Sequence, residues 1–340
     1  MVEWVRCSAQ DTTPAAWDQL LGQATDANPF QSYAWGEYKR RSGWEPERWQ
    51  AIDEHRQPLG CLQVLKKQLL FNRFLVWTPG GPVIGFPNCH GQMSGALVSE
   101  WLESFRRHHR LVYARFSSHH RVCAEAAAGL TRVCGRPSVP VTSGYTIQLD
   151  LTRSLDELRS AMTRKHRYYV KQSQAAGLTW TMGRSSALLD DFAHLYAQMS
   201  RVKQARLPAV ELGSLQALAD QFQSNCLVLI GYQARVPVTA CLTLRIGDKV
   251  FYMTAATGTQ GRRVSAAYAM ISTLFDVLKQ RGASRLDFGG ISPDQPSAAG
   301  VNHFKQGFGG ERIQYLGEWE WALTKAVSWG ANQAMRRWLR

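Results

Sequence analysis

Two short blocks near the end of the chain carry the residue types of a reaction site. Asp287-Phe288-Gly289-Gly290-Ile291 is followed by Phe304-Lys305-Gln306-Gly307-Phe308-Gly309-Gly310, so paired glycines and one lysine stand among aromatic residues. The run Arg285-Leu286-Asp287-Phe288 alternates as a strand does, and glycines directly after it let backbone come close to a bound group. Gly289 and Gly290 then shape the floor of a cleft, and Lys305 brings a positive charge to its opening, where it suits an oxygen that turns negative during reaction. Asp287 either orients an amine or bonds to the Gly289-Gly290 turn.

A second group of residues suits a polyanion. Ser154 caps a predicted helix whose first turn holds Asp156 and Glu157, as the helix dipole favours. That helix turns basic through Arg159, Arg164, Lys165, His166, Arg167 and Lys171 before a stop at Gly177. Tyr168 and Tyr169 are interleaved, a mixture that fits phosphate contacts with aromatic faces for stacking on a base or sugar; a solvated helix face with its tyrosines in the core has the same pattern. Arg201, Lys203 and Arg206 follow Phe192, Leu195, Tyr196 and Met199 on another predicted helix ended by Pro208, and Lys203 or Arg206 offers a further phosphate contact.

The elements that must position these groups repeat. Trp49-Ile52, Leu59-Leu65 and Phe74-Trp77 form a predicted meander, Gln92 to His108 has helical periodicity, and Leu111-Phe116 follows as a strand. Leu227-Tyr232, Val238-Leu244 and Val250-Met253 form a second meander, followed by a helix from Ser265 to Arg281 and the strand Ser284-Phe288. Antiparallel strands, a helix and a closing strand describe a mixed α/β layer fold, an order that N-acetyltransferase relatives use, with the site expected where the central strands part. The boundary falls after the turn-rich Arg136-Pro140 segment, giving 1–150 with 312–340 as one domain and 151–311 as the other. The strand-like Gln314-Trp321 and the final amphipathic helix are expected to pack back on the first domain.

Composition narrows the function classes. Forty Lys and Arg against 26 Asp and Glu give a net charge of +14, which favours nucleic acid, nucleotide or an anionic lipid surface as partner. Seven scattered cysteines without a CxxC pair argue for reduced core thiols, and neither disulfides nor a metal are expected. His108-His109 and His119-His120 have no nearby acidic cluster in sequence and read as surface or loop-edge residues. No run of about 18 apolar residues and no secretory leader is visible, so the expected location is the cytoplasm.

Phe30-Gln31-Ser32-Tyr33-Ala34-Trp35-Gly36-Glu37-Tyr38-Lys39, the basic helix, and the Asp287 to Gly310 block stand in an order that resembles the Fem family of peptidoglycan bridge aminoacyltransferases. The resemblance covers almost the whole chain and is most specific in the late DFGGI…FK.GFGG element. It implies two tandem N-acetyltransferase (GNAT)-like domains, an enzyme of cell-wall biogenesis and cell shape, and transfer of an amino acid from aminoacyl-tRNA to an amine of a nucleotide- or lipid-linked precursor. The length suits the short FemX-type branch. No bound cofactor is implied, because aminoacyl-tRNA is itself the co-substrate, and peripheral contact with the inner membrane face is compatible with a lipid-linked acceptor.

By the same resemblance Lys305, held by Phe304, is the catalytic cation, with Asp287 beside it. Lys39 grips the acceptor at phosphate or carboxylate, with Trp35 in the same element, and Arg164, Lys165, Arg167 and Lys171 contact tRNA. Where relatives carry an acidic residue after the last strand of the first domain, this chain has Phe116-Ser117-Ser118, which leaves the general base unassigned. Two other readings remain open: an acyl-coenzyme A-dependent N-acyltransferase, with Thr259 to Ala267 as a weak pyrophosphate loop, and a non-catalytic RNA-binding or envelope-assembly module.

Overall fold

Short β-branched and aromatic runs and longer helical stripes set the element order in this computed structural model, which describes residues 2–8, 12–89, 93–203 and 211–338. The chain opens with β1 (Glu3–Arg6), α1 (Pro14–Gly22), α2 (Tyr33–Arg40), β2 (Glu45–Ile52), β3 (Pro58–Leu69), β4 (Arg73–Gly80), α3 (Met93–His108), β5 (Arg110–Arg121) and α4 (Ala124–Thr131). It continues with β6 (Tyr145–Asp150), α5 (Leu155–Ala161), α6 (Arg164–Gln174), β7 (Thr179–Gly183), α7 (Ser186–Lys203) and α8 (Leu212–Phe222). The last elements are β8 (Cys226–Gln233), β9 (Val236–Ile246), β10 (Lys249–Thr257), α9 (Thr259–Arg263), α10 (Ala266–Gln280), β11 (Arg285–Ile291), α11 (Ala299–Gln306), β12 (Glu311–Ala322) and α12 (Lys325–Trp338).

These elements form two compact units, Met1–Tyr145 with Gln314–Arg340, and Thr146–Ile313. The sequence reading draws its lines at 150/151 and 311/312. β6 accounts for the first difference, because it lies beside β11 and so falls almost wholly in the second unit.

The first unit orders its strands β1-β2-β3-β4-β5-β12. β1 to β4 are antiparallel neighbours, β5 is parallel to β4 after the α3 crossover, and β12 returns antiparallel to β5. α3 lays Leu97, Val98, Trp101, Leu102 and Phe105 against Trp49, Leu62, Val76 and Phe116, the stripe its periodicity predicts. Each such large side chain contributes about 1.5–3 kcal/mol through burial. Buried ions lock the rest: Arg115 Nε donates to Glu318 Oε2 at 2.7 Å, and the Val141 and Thr142 amides donate to Oε1.

The second unit orders its strands β6-β11-β10-β9-β8-β7, with β10 and β11 parallel and the meander β7 to β10 antiparallel. α10 buries Ala269, Met270, Ile271, Leu274, Phe275 and Leu278. The meander, helix and strand order thus recurs, and the carboxyl-terminal strand does join the first unit's sheet.

Three expectations need correction. The basic helix predicted as one piece is two, because Met162 takes an extended conformation to bury its side chain and the Thr163 hydroxyl caps a new helix by accepting from the His166 amide. The Ser154 capping box with Glu157 forms as read. His108 is exposed as read, but three of the paired histidines are not loose surface groups: His109 sits 3.1 Å from Glu47, His120 3.3 Å from Asp26, and His119 stacks on Tyr315. Their carboxylates lie far away in sequence, beyond the reach of local inspection. Finally, Phe116-Ser117-Ser118 lies inside β5 and not after it.

Candidate active site

β10 and β11 pair at only three positions, Lys249 with Arg285, Val250 with Leu286 and Phe251 with Asp287. There the ladder stops. β10 is irregular between Tyr252 and Thr254 as it continues along β9, while β11 runs on through Gly289 and Gly290 to Ile291. A parallel sheet that parts between neighbouring strands offers unpaired backbone and an opening at their carboxyl ends, the place where ligands bind in such folds. Gly289 has φ +70, and a Cβ there would stand 3.1 Å from the Tyr252 carbonyl oxygen, so glycine is required on both conformational and spatial grounds.

Lys305 reaches this place from the last turn of α11. Its Nζ donates to the Gly290 carbonyl at 2.7 Å and lies 3.9 Å from where a Gly289 Cβ would be. Burial pushes its pKa down to about 8, with the Asp287 carboxylate pulling the other way. The group is therefore mainly ammonium at neutral pH, with three N–H donors of which the carbonyl takes one.

Asp287 makes the bond to the glycine turn that was one of its two expected roles. It is 2% exposed, and it accepts from Thr146 Oγ1 at 2.5 Å, Gln148 Nε2 at 3.0 Å and the Gly289 amide at 2.7 Å. These bonds pin the glycine turn on β6 and β11, so the carboxylate shapes the opening. Phe304 likewise acts through packing and backbone. Its ring meets Tyr268 at 5.2 Å and Phe308 at 5.1 Å, and its carbonyl accepts from His166 Nε2 at 3.0 Å.

His166 is the residue that sequence reasoning misassigned. Read as one cation among six on the basic helix, it is fully buried, and its Nδ1 lies 2.8 Å from the Thr163 hydroxyl. Burial lowers its pKa, and because the Phe304 carbonyl can only accept, Nε2 carries the proton of a neutral ring. A Cβ at Gly307 would lie 1.8 Å from the ring, so Gly307 exists to admit it. His166 thus ties α6 to the helix that carries Lys305. The signal was present only as the pair Thr163 and Gly307, which sequence separates by 144 positions.

The other α6 cations do face solvent. Arg164, Lys165, Arg167 and Lys171 are exposed, as is Tyr168 at 62%. Arg167 turns back to the Ser160 and Met162 carbonyls, and Lys165 lies 6.0 Å from the Tyr169 ring. Tyr169 packs on Tyr268 at 4.8 Å, so the helix divides its tyrosines between core and surface. The side chain of Lys203, and Arg206 altogether, lie outside the described residues.

Trp35 and Lys39 lie in the first unit, on α2, which Ser32 caps by accepting from the Trp35 amide at 3.1 Å. Lys39 Nζ stands 4.8 Å from the Trp35 ring centroid and 5.3 Å from that of Tyr38, and burial lowers its pKa. The Gln31 and Ser32 of the same element are structural. Gln31 Nε2 donates to the Gln63 and Pro79 carbonyls, and Gln63 Nε2 donates to the Ser32 carbonyl. Gly36 leaves room for Gln63, whose Oε1 would be 2.3 Å from a Cβ.

The segment weighed as a pyrophosphate loop winds into α9. Its Arg262, Val264 and Ser265 amides are taken up by the Gly258, Gln260 and Arg262 carbonyls, and Gly261 is pressed on the Val238 carbonyl. Among the described residues no cluster of His, Cys, Asp or Glu is set to hold a metal.

Residues 212–336, which include both glycine blocks and Lys305, match the model of the FemAB family. That stretch is similar to FemAB sequence. A crystal structure of FemX superposes with a TM-score of 0.82 at 14% identity, covering 97% of this chain and 100% of that one. A tandem GNAT protein from the clavulanic acid biosynthesis pathway gives 0.54 at 14% identity, over 95% and 98%. The carboxyl-terminal domain of a putative lysylphosphatidylglycerol synthetase from Agrobacterium fabrum gives 0.54 at 13%, over 93% and 96%. No curated protein matches the chain. The fold is therefore a FemX-like tandem of GNAT-like units, and together with the FemAB match it supports an acyltransferase of the Fem type.

Proposed function

We propose that the protein moves an aminoacyl group from aminoacyl-tRNA to an amine of a peptidoglycan precursor during cell-wall bridge formation in the cytoplasm. The observation that carries this reading is the Lys305 ammonium, held on the Gly290 carbonyl where the β10–β11 ladder ends and within the FemAB match. The acceptor amine attacks the ester carbonyl, the carbonyl oxygen becomes an oxyanion, and the C–O bond to the terminal ribose breaks as the amide forms. The amine's proton ends on the departing ribose oxygen. Lys305 stabilises the oxyanion, and positioning supplies the remainder.

Direct attack fits the cysteines as well. Burial pushes Cys89, Cys134, Cys226 and Cys241 up to about 12, so none of them is a thiolate nucleophile at neutral pH. Arg164, Lys165 and Lys171 meet tRNA phosphates with Tyr168 as a stacking face, and Lys39 grips an anionic group of the acceptor.

Purified protein incubated with charged tRNA and nucleotide- or lipid-linked precursors should yield precursor heavier by one aminoacyl unit by mass spectrometry. Acylation from an acyl-coenzyme A with none from charged tRNA would replace this reading with the other enzyme. Binding of tRNA without any transfer would favour the RNA-binding module.

A further inference from the structure

The first unit carries a feature that the transfer chemistry leaves unused. β3 and β4 extend into a hairpin whose tip exposes Leu69, Leu70 and Phe71, the last two at 80% and 81%. Phe71 and Asn72 both have left-handed backbone, φ 59 and 55, a conformation that non-glycine residues adopt at a cost of about 1 kcal/mol or more and that here turns Phe71 outward. Large apolar side chains this exposed at a protruding turn mark a contact surface.

A collar of cations surrounds the tip. Register pairs Lys67 with Leu75, Leu69 with Arg73, and Arg73 with Arg110, so three cations sit at one end of neighbouring strands. The last turn of α3, which leads into Arg110, adds exposed Arg106 and Arg107. Nearby carboxylates are few: exposed Glu45 and buried Glu47 both pair with buried Lys66, and Glu103 lies a turn back on α3. Lys67 stands 5.8 Å from the half-buried Trp44 ring, itself 5.9 Å from Trp77, which places indoles just behind the apolar tip. Aliphatic and aromatic groups at the apex, indoles behind them and cations around them reproduce the polarity gradient of an anionic bilayer interface. A second copy of the chain would set these cations against one another.

We propose that the β3–β4 hairpin end docks on an anionic phospholipid bilayer, with Leu70 and Phe71 entering the headgroup boundary and Lys67, Arg73 and Arg110 meeting lipid phosphates. The proposal does not depend on the transfer reaction. It is tested by co-sedimentation with vesicles of phosphatidylglycerol and phosphatidylcholine, against phosphatidylcholine alone. The wild type should bind the anionic vesicles and not the neutral ones. The pair Leu70→Ser/Phe71→Ser should lose at least about tenfold in partitioning, and Lys67→Glu/Arg73→Glu should abolish the anionic preference. All these positions are exposed, so circular dichroism should be unchanged. Equal partitioning of wild type and serine variant overturns the proposal, as does failure of the wild type to bind anionic vesicles. Tip-dependent sedimentation without vesicles, which would mean self-association, overturns it too.

Discussion

The two units repeat one order of strands and helix but differ at the same joint. In the first, β4 and β5 stay paired from Arg73 with Arg110 to Gly80 with Ser118, and side chains seal the end: Asn28 Nδ2 donates to the Gly80 carbonyl at 2.9 Å, and Gln31 Nε2 to the Pro79 carbonyl. In the second, β10 and β11 part after three positions, and the end holds a glycine turn and the Lys305 ammonium. The same fold is thus closed for stability in one copy and opened in the other. Closure uses buried amides that satisfy backbone carbonyls; opening leaves a carbonyl to a cation that burial would prefer to be neutral.

Substitutions on the closed side should cost the most stability. Arg115→Met leaves the Glu318 carboxylate buried without its cation, and about 3–5 kcal/mol of unfolding free energy should be lost in urea titration. A loss under about 1 kcal/mol would show that the Val141 and Thr142 amides suffice. On the open side Gly289→Val places a branched side chain at φ +70 against the Tyr252 carbonyl, and should cost about 1–3 kcal/mol together with transfer activity.

Titration should separate the units next. Lys305 has a folded pKa of about 8, below its ordinary 10.5, so between these values the folded chain binds fewer protons than the unfolded one. Its ammonium costs stability at lower pH and ceases to as pH rises through that window, while transfer should fall above about pH 8, at most tenfold per unit. Glu47 runs the opposite way. Burial raises its pKa, but the Lys66 hydrogen bond and the charges of Lys66, His109 and Arg6 bring it below the ordinary carboxylate value. Its contribution is present above the unfolded pKa and is lost in acid. Circular-dichroism stability and transfer rate measured across pH read both. The smallest effect is expected at Lys171→Ala, where stability should change by less than about 0.5 kcal/mol and the salt slope of tRNA binding should fall by about one.

Much of this was legible in the sequence because it is local. Strand alternation, the α3 and α10 stripes, the Ser154 cap and the glycines around Lys305 depend on near neighbours, and they fold as read. What escaped depends on partners far along the chain. His166 looks cationic among Arg164, Lys165 and Arg167 until the Phe304 carbonyl and Gly307 close around it, and Asp287 looks reactive until Thr146 and Gln148 occupy it. The order of elements places the site where the central strands part, but nothing in Tyr252-Met253-Thr254 or in the glycine pair says that the ladder stops at Phe251.

The most direct test of Lys305 as the cation of transfer is a single-turnover comparison of Lys305→Met with wild type, using charged tRNA and precursor. Transfer should slow by about 2–4 kcal/mol of barrier, roughly 30- to 1000-fold, while the unfolding free energy stays level or rises because a buried charge is gone. A transfer rate equal to that of wild type would remove Lys305 from the chemistry and leave the open end of the second unit without a catalytic group.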